Sequence, residues 1–152
     1  FNFHPGLNPY NRGWFPQVFS IINKKPVGAT VHKMDKKIDH GPIVAQKIVD
    51  INDWDTSKSV YDRVLDAEFE LFEIWIDRLI TGSFNEREVE LSGNYNSIKD
   101  FERLCEMDLE RNLTLKEAID YFRAMTFDGY DNAFFYAQDG RKVYVSLRLK
   151  TE

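Results

Sequence analysis

A long amphipathic helix constrains the fold of this chain more than any other stretch of its sequence. From Ser59 onward the apolar residues recur at three- and four-residue steps, and the pattern stops at Gly82, a residue type that commonly ends helices. These apolar residues are Val60, Val64, Leu65, Leu71, Phe72, Trp75, Ile76, Leu79 and Ile80. Two runs rich in β-branched residues, 27–34 and 43–51, precede the helix and are typical of paired strands. The order of the elements predicts an α/β fold in which this helix packs on a sheet.

The segment after this helix predicts a boundary between a core and a tail. Residues 83–96 are polar and contain glycine, which is typical of a connecting segment. In the tail, a short helix is predicted over 97–107, and Thr114 to Glu117 form a capping box that begins another helix. That helix is expected to extend to about Met125. Its buried residues are predicted to be Leu115, Ala118, Ile119 and Phe122.

The chain ends with the pattern of a β-hairpin. Two runs rich in aromatic and β-branched residues, 133–137 and 142–147, flank the dipeptide Asp139-Gly140, which favours a tight reversed turn. A hairpin this aromatic needs a partner surface to cover it. We expect that surface to lie either in the hairpin's own sheet or in a second subunit.

The charge and the cysteine content disfavour several classes of protein. The formal net charge of −5 argues against a broad surface for tRNA or DNA. Cys105 is the only cysteine, so no disulfide can form within the chain, and a reducing compartment is expected. The sequence shows neither an apolar run of membrane-spanning length nor a signal-peptide pattern. We therefore expect a cytoplasmic protein that binds neither membranes nor nucleic acid.

The opening stretch, 1–16, contains the strongest candidates for catalytic side chains in the sequence. Asn2 and His4 are two residues apart, so in a strand their side chains point to the same face. Pro5 and Pro9 then end any strand, and ligands of open α/β sheets bind where strands end. An Asn amide and a protonated His can donate hydrogen bonds to the oxyanion of an acyl transfer. Asp39 beside the imidazole would raise its pKa, and the substrate's own amine could be the nucleophile. The alternative is an ordinary loop.

Two other interpretations concern the histidines. His4, His32, Asp39 and His40 could form a metal site, since His and carboxylate are common ligands, but their spacing matches no metal motif. We therefore expect no metal. His32 lies in a predicted strand and His40 in a predicted turn, and the expectation for both is a structural or solvated side chain.

Three segments together resemble the folate-dependent formyltransferase family. They are Asn2-Phe3-His4-Pro5-Gly6-Leu7-Asn8-Pro9, Gly28-Ala29-Thr30-Val31-His32 and Asp39-His40-Gly41-Pro42-Ile43-Val44-Ala45-Gln46. The family pattern is Asn-x-His, a Leu-x-Pro turn and a later Asp-x-Gly turn. Within the family, the segments 8–16 and 122–135 are most similar to bacterial enzymes that formylate amino sugars attached to dTDP.

The resemblance implies a fold and a domain division. Residues 1–84 are expected to be the carboxy-terminal part of a Rossmann-like catalytic domain, and 85–152 a helical and β-hairpin tail that joins two subunits. The family places an amino-terminal half before the Asn-x-His strand. Because the sequence starts at Phe1 without a Met, we expect such a segment to be missing from it.

The resemblance also implies the reaction and its catalytic residues. N10-formyltetrahydrofolate would be the formyl donor, and a dTDP-linked amino sugar the acceptor. Asn2 and His4 would hold the formyl oxygen, and Asp39 would orient His4 and assist proton transfer. The turn at 33–39, with Ile38 and Asp39 at its end, would offer backbone groups to the pterin ring.

The acceptor is expected to contact a separate group of residues. These are Tyr10, Asn11, Arg12, Trp14 and Tyr130. By resemblance, Arg12 is a candidate contact for the pyrophosphate, and Tyr130 corresponds to a position that reaches the nucleotide. Trp14 or Tyr10 could stack on the acceptor, and the alternative for both aromatics is core or interface packing.

Three hypotheses about function follow. The leading one is an N-formyltransferase for dTDP-amino sugars that serves O-antigen or another surface glycan of the lipopolysaccharide type. The second is another enzyme of the family, such as a methionyl-tRNA formyltransferase. The negative net charge of the chain disfavours this hypothesis. The third is a non-catalytic dimerisation fragment. The sequence leaves open which sugar is used and whether its amine is on carbon 3 or carbon 4.

Overall fold

A computed structural model of the chain describes residues 1–88 and 93–152. Within them the helices are α1 (Pro16–Asn23), α2 (Ser57–Thr81), α3 (Ile98–Cys105) and α4 (Leu115–Met125). The strands are β1 (Asn2–His4), β2 (Arg12–Gly13), β3 (Val27–His32), β4 (Ile43–Val49), β5 (Tyr95–Asn96), β6 (Ala133–Tyr136) and β7 (Lys142–Val145). The mixture of helices and strands, followed by a helical and hairpin tail, confirms the predicted fold class.

Helix α2 packs on a three-stranded antiparallel sheet, as the sequence predicted. The strand order is β1-β3-β4, and β3 and β4 form the expected antiparallel pair. A capping box at Thr56 begins α2, and Gly82 ends it with a left-handed backbone (φ 72°). The apolar cluster between helix and sheet consists of Ala29, Val31, Ala67, Leu71 and Leu79. Packing of the helix on the sheet therefore fixes β1 as an edge strand beside β3.

The predicted apolar face of α2 is partly wrong. Leu65, Phe72 and Ile80 are exposed, and Ile80 retains 76% of its accessible surface. Ala67, which was not predicted, is buried instead. The sheet covers only one stripe of the helix, and the periodic pattern does not distinguish the covered apolar residues from their exposed neighbours.

A second apolar cluster joins the tail to the rest of the chain. It contains Val18, Ile21, Val27, Val60, Val64, Ala124, Met125 and Ala133, which come from both halves of the sequence. Beside it, Arg123 is 3% exposed and donates hydrogen bonds to the carbonyl oxygens of Asn52 (2.9 Å) and Asp55 (3.0 Å). Helix α4 is thus fixed on α1 and on the loop that precedes α2.

The predicted buried face of α4 is also wrong in part. Leu115 is 85% exposed and Ile119 is exposed as well, whereas Asp120, Arg123, Ala124 and Met125 are buried. The buried charges are accommodated because Arg123 pairs with Asp120 at 2.7 Å. The helix therefore presents an apolar stripe to solvent in this single chain.

Two strand pairs complete the tail. Strands β6 and β7 form the predicted hairpin, with Phe134 opposite Tyr144. Strand β5 pairs in parallel with β2, so the chain returns from the connecting segment to the opening stretch. Gly13 in β2 has φ 91°, and a Cβ there would collide with the carbonyl oxygen of Asn96. The division between residues 84 and 85 stays a prediction, and part of the predicted connecting segment, 89–92, lies outside the described residues.

Candidate active site

Strand β1 and the turn after β3 bring Asn2, His4 and Asp39 together. The side-chain nitrogen Nδ2 of Asn2 lies 3.4 Å from Asp39 Oδ1, and Nδ1 of His4 lies 3.5 Å from the same oxygen. Asn2 and His4 share a face because they alternate with Phe3 in the strand. The three residues that the sequence singled out for chemistry therefore converge on one carboxylate.

A buried hydroxyl holds the turn after β1 over the sheet. Thr30 Oγ1 donates to the Gly6 carbonyl (2.7 Å) and accepts from the backbone N–H of Asn8 (3.1 Å) and from Gln46 Nε2 (3.0 Å). The Asn8 side chain in turn donates to the Asp39 carbonyl at 3.0 Å. Asp39 has φ 49°, a left-handed conformation that Asp tolerates better than most residues. Thr30, Asn8 and Gln46 thus fix the backbone on both sides of the site.

The Asp39 carboxylate is kept ionised. Burial alone would raise its pKa, but contact with His32, the charge of His4 and a hydrogen bond from the Gly13 backbone hold the pKa below its ordinary value. A carboxylate in that state offers a permanent negative charge to the imidazole beside it.

The pKa of His4 is lower than expected, which corrects the prediction of a protonated imidazole. Burial is the largest cause, and nearby His32 lowers the pKa further, while Asp39 opposes both. Because desolvation outweighs the single carboxylate, His4 is neutral at neutral pH. If the neutral His4 imidazole carries its proton on Nδ1, which faces Asp39, its other nitrogen, Nε2, is free to accept a proton. Nε2 is buried and has no hydrogen-bond partner in the described part of the chain. His4 is therefore placed to accept a proton before it donates one.

His32 belongs to this cluster, although the sequence analysis assigned it a structural or solvated place. Its Nε2 lies 3.3 Å from Asn2 Nδ2 and 3.8 Å from Asp39 Oδ1, and its Nδ1 donates to the Lys33 carbonyl at 2.8 Å. The register of β1 and β3 sets Asn2 opposite His32. This long-range strand pairing brings His32 to the site. The one signal for it in the sequence was that His32 belongs to the segment Gly28–His32, which resembles the formyltransferase family.

An aromatic cleft of about 700 Å³ opens beside His4 and Asp39. Its wall includes Trp14, Phe15, Tyr61, Tyr95, Phe127 and Tyr130. Ile38, which is 63% exposed, lies on the same wall. Trp14, Tyr130 and Ile38 were predicted site residues, and all three line the cleft that His4 and Asp39 also line. The cleft is formed jointly by the opening stretch, the start of α2 and the tail.

Three predicted acceptor contacts lie elsewhere. Asn11 is 0% exposed, and its side chain donates to Ser20 Oγ and accepts from Asn94 Nδ2. Its direct contact with a substrate stays a prediction that this geometry does not support. Tyr10 and Arg12 are half-buried, and neither lines the aromatic cleft. Arg12 Nε is buried without a partner among the described residues, so the guanidinium still has a donor to offer.

Residues 1–88 and 93–152 contain neither a metal-binding cluster nor a membrane-spanning helix. No group of three or more His, Cys, Asp or Glu side chains is arranged to hold a metal ion there. No helix in the same residues combines the length and apolar character needed to cross a membrane.

Comparison with known proteins gives consistent matches at both ends of the chain. A family described as "Formyl transferase" matches residues 1–75, and a family described as "N-formyltransferase dimerization C-terminal domain" matches residues 100–151. A dTDP-4-amino-4,6-dideoxyglucose formyltransferase of Mycobacterium bovis is 47% identical over 151 residues, which cover 99% of this chain and 64% of that protein. The chain therefore spans less than two thirds of that relative's length.

Solved structures give the same result. A 4-N formyltransferase from Francisella tularensis has a TM-score of 0.97 and 52% identity, and the alignment covers 99% of this chain and 62% of that one. An N-formyltransferase from Helicobacter canadensis, solved with folinic acid and dTDP-3-aminofucose, has a TM-score of 0.75 and 27% identity over 87% of this chain and 49% of that one.

Proposed function

Because the chain belongs to the formyl transferase family, we propose that the protein transfers a formyl group from N10-formyltetrahydrofolate to the amine of a dTDP-linked amino-dideoxy sugar. The observation that carries the proposal is the convergence of Asn2, His4 and Asp39 beside an aromatic cleft. The 47% identity to a dTDP-4-amino-4,6-dideoxyglucose formyltransferase supports a nucleotide sugar as the acceptor.

The side chains divide the work of an acyl transfer between them. His4, neutral and with a free Nε2, takes the proton that the amine loses as its nitrogen attacks the formyl carbon. The Asn2 amide donates a hydrogen bond to the charge that develops on the formyl oxygen. Asp39, ionised and 3.5 Å from His4 Nδ1, stabilises the imidazolium that results. The imidazolium then returns its proton to the leaving nitrogen.

The residues around Asp39 fit a folate donor. N10-formyltetrahydrofolate supplies an activated formyl group. The turn that ends at Asp39 is exposed, and its Ile38 side chain offers apolar surface on the cleft wall next to the carboxylate. The backbone of this turn would hold the pterin ring, and the structure of the Helicobacter canadensis protein with folinic acid supports a folate ligand for this fold.

The acceptor occupies the aromatic cleft in this proposal. Trp14 and Tyr130 are exposed aromatic side chains on its wall, so they can stack on a planar base or on the apolar face of a sugar. Arg12 does not line the cleft, but it directly precedes Gly13 and Trp14, which do, and its Nε lacks a partner among the described residues, so it is assigned to the pyrophosphate. Tyr10 is a weaker stacking candidate, because it does not line the cleft.

The tail joins two copies of the chain in the same proposal. Apolar side chains on α4, the loop before it and the hairpin are exposed, namely Leu109, Leu113, Leu115, Ile119, Tyr136, Val143 and Tyr144. So much exposed apolar surface on one small region favours burial against a partner. The match of residues 100–151 to a dimerization domain supports a homodimer through this tail.

The remaining hypotheses are less well supported. The net charge of −5 disfavours a tRNA acceptor, since such an enzyme must bind a polyanion. A purely structural dimerisation fragment would have no need of a lowered His4 pKa beside an ionised Asp39. The proposal accordingly places the reaction in the cytoplasm and its product in the assembly of a lipopolysaccharide O-antigen.

The test is an acceptor panel with the full-length protein. N10-formyltetrahydrofolate is mixed with dTDP-sugars that carry the amine on carbon 3 or carbon 4, with methionyl-tRNA and with glycinamide ribonucleotide, and products are identified by mass spectrometry. We expect formylation of at least one dTDP-amino sugar at the amine. Formylation of the tRNA or ribonucleotide without any sugar product would refute the proposal.

A further inference from the structure

Gln17 is a buried polar residue on the cleft wall that the proposed reaction does not use. It is 2% exposed and lines the same cleft as His4 and Asp39. Its side-chain oxygen Oε1 is buried and has no hydrogen-bond partner in the described part of the chain. Burial of an unpaired amide oxygen costs free energy, so folding alone gives no reason for a Gln at this position.

The backbone at Gln17 also has a donor to offer. Helix α1 starts at Pro16, which has no N–H, and its N-cap residue Phe15 is left-handed and makes no side-chain capping bond. The Val18 N–H donates to the Phe15 carbonyl at 3.0 Å. The Gln17 N–H lies in the first turn of α1 and therefore has no acceptor within the helix, so this donor and the unpaired Oε1 belong to one residue. The positive end of the helix dipole adds attraction for an electronegative atom there.

The start of α1 is tied to the catalytic cluster. Gly13, four residues before Gln17, lines the same cleft as the Asp39 carboxylate, which lies 3.5 Å from His4 Nδ1. The intervening residues Trp14, Phe15 and Pro16 all line the cleft. Because His4 and Gln17 line one cleft, a ligand that reaches His4 can also contact the first turn of α1.

We propose that Gln17 recognises a ring hydroxyl of the acceptor sugar, next to the amine that His4 deprotonates. The inference rests on the proposed function and adds a residue that determines which sugar is accepted. A hydroxyl both donates and accepts one hydrogen bond, which matches the free Oε1 and the free N–H of Gln17. A phosphate at neutral pH is a poor donor and would leave Oε1 unsatisfied. A site built to hydrogen-bond a substrate hydroxyl discriminates strongly against the analogue that lacks it.

The experiment compares two enzymes on a set of matched acceptors. Wild type and Gln17→Leu, both full-length, are assayed with the accepted dTDP-amino sugar, with analogues that lack one ring hydroxyl each, and with the same sugar on UDP in place of dTDP. Leu has one side-chain heavy atom fewer than Gln and a helix propensity similar to that of Gln, but it cannot form hydrogen bonds. Gln138→Leu, at the exposed hairpin turn, is the matched control and should leave every rate within about twofold of wild type.

Gln17→Leu should lower kcat/KM for the parent sugar by about a hundredfold. On one of the deoxy analogues the two enzymes should be equal within about twofold, because the partner of Gln17 is then absent from both complexes. The UDP sugar should show the same loss as the dTDP sugar. The melting temperature of Gln17→Leu should equal or exceed that of wild type, since the variant removes an unpaired buried oxygen.

Three results would overturn the proposal. An equal loss on every deoxy analogue would mean that Gln17 contacts no ring hydroxyl. A loss that disappears on the UDP sugar would mean that the effect of Gln17 depends on the thymine methyl group or on the deoxyribose, and not on the acceptor's sugar ring. Failure of wild type to formylate the parent sugar would refute the proposed function, and the role of Gln17 would fall with it.

Discussion

Replacement of the Asp39 carboxylate by an amide tests the electrostatic core of the site. Asp39→Asn keeps the shape of the side chain, and the Asp39 backbone stays fixed by the Asn8 amide at 3.0 Å. What the variant removes is the negative charge beside His4. The wild-type reaction forms an imidazolium there, so the charge matters more in the transition state than in the resting enzyme.

The expected size of the effect follows from the geometry. At the 3.5 Å between His4 Nδ1 and Asp39 Oδ1, an effective dielectric constant of about 20 gives an attraction of about 5 kcal/mol. The full attraction corresponds to between three and four powers of ten in rate. We expect a loss of about three powers of ten in kcat/KM, because Asn can still accept a hydrogen bond from Nδ1 and the pair retains some contact with water.

The assay measures formyl transfer at saturating N10-formyltetrahydrofolate over a range of sugar concentrations. Asp53→Asn serves as the control, because the Asp53 side chain is 89% exposed and forms only a surface ion pair with Lys116. Melting temperature and near-UV circular dichroism report whether the fold is intact. Turnover of Asp39→Asn within fivefold of wild type would refute the assignment of Asp39 as the partner of His4.

Four further outcomes are expected. Asn2→Ala should lower kcat by about two to three powers of ten with little change in KM, measured in the same assay, because it removes a donor to the developing charge. The pKa of His4, followed by NMR titration, should lie below 6.5, so kcat/KM should fall with decreasing pH only below that value, and Asp39→Asn should lower this pKa further. Arg123→Met should lower the free energy of unfolding by about 3 kcal/mol in urea titrations, because buried Asp120 keeps only its pairs with Lys24 and Lys116 and the carbonyl oxygens of Asn52 and Asp55 lose their buried donor; a loss below about 1 kcal/mol would contradict this. Tyr144→Lys should shift sedimentation from dimer to monomer, because it places a charge on the exposed apolar surface of the hairpin.

The ends of the elements could be predicted because local chemistry determines them. Gly82 ends α2 in the left-handed conformation that Gly adopts readily. Thr114 and Glu117 form the capping box of α4, and Asp139-Gly140 makes the hairpin turn. Each of these signals spans only a few residues, so no tertiary information is needed to recognise it.

The direction of side chains was harder to predict, because it depends on long-range packing. Leu115 and Ile119 lie on the exposed face of α4, and its buried face contains the ion pair of Asp120 and Arg123. A pattern of apolar residues cannot show that charged residues occupy the buried face. His32 joins the site only through the pairing of β1 with β3. Asp39 raises the pKa of His4 as predicted, but the larger opposing effect of burial could not be predicted, because burial is a property of the folded chain.

The most direct test of the account is the position of the sugar amine relative to His4. A crystal structure of the full-length protein with folinic acid and the accepted dTDP-amino sugar gives this distance. We predict that the amine nitrogen lies within hydrogen-bond reach of the His4 imidazole, with the Asn2 amide facing the folate and the sugar in the aromatic cleft. An amine bound away from the cleft, or on the far side of the sheet from His4, would contradict the account.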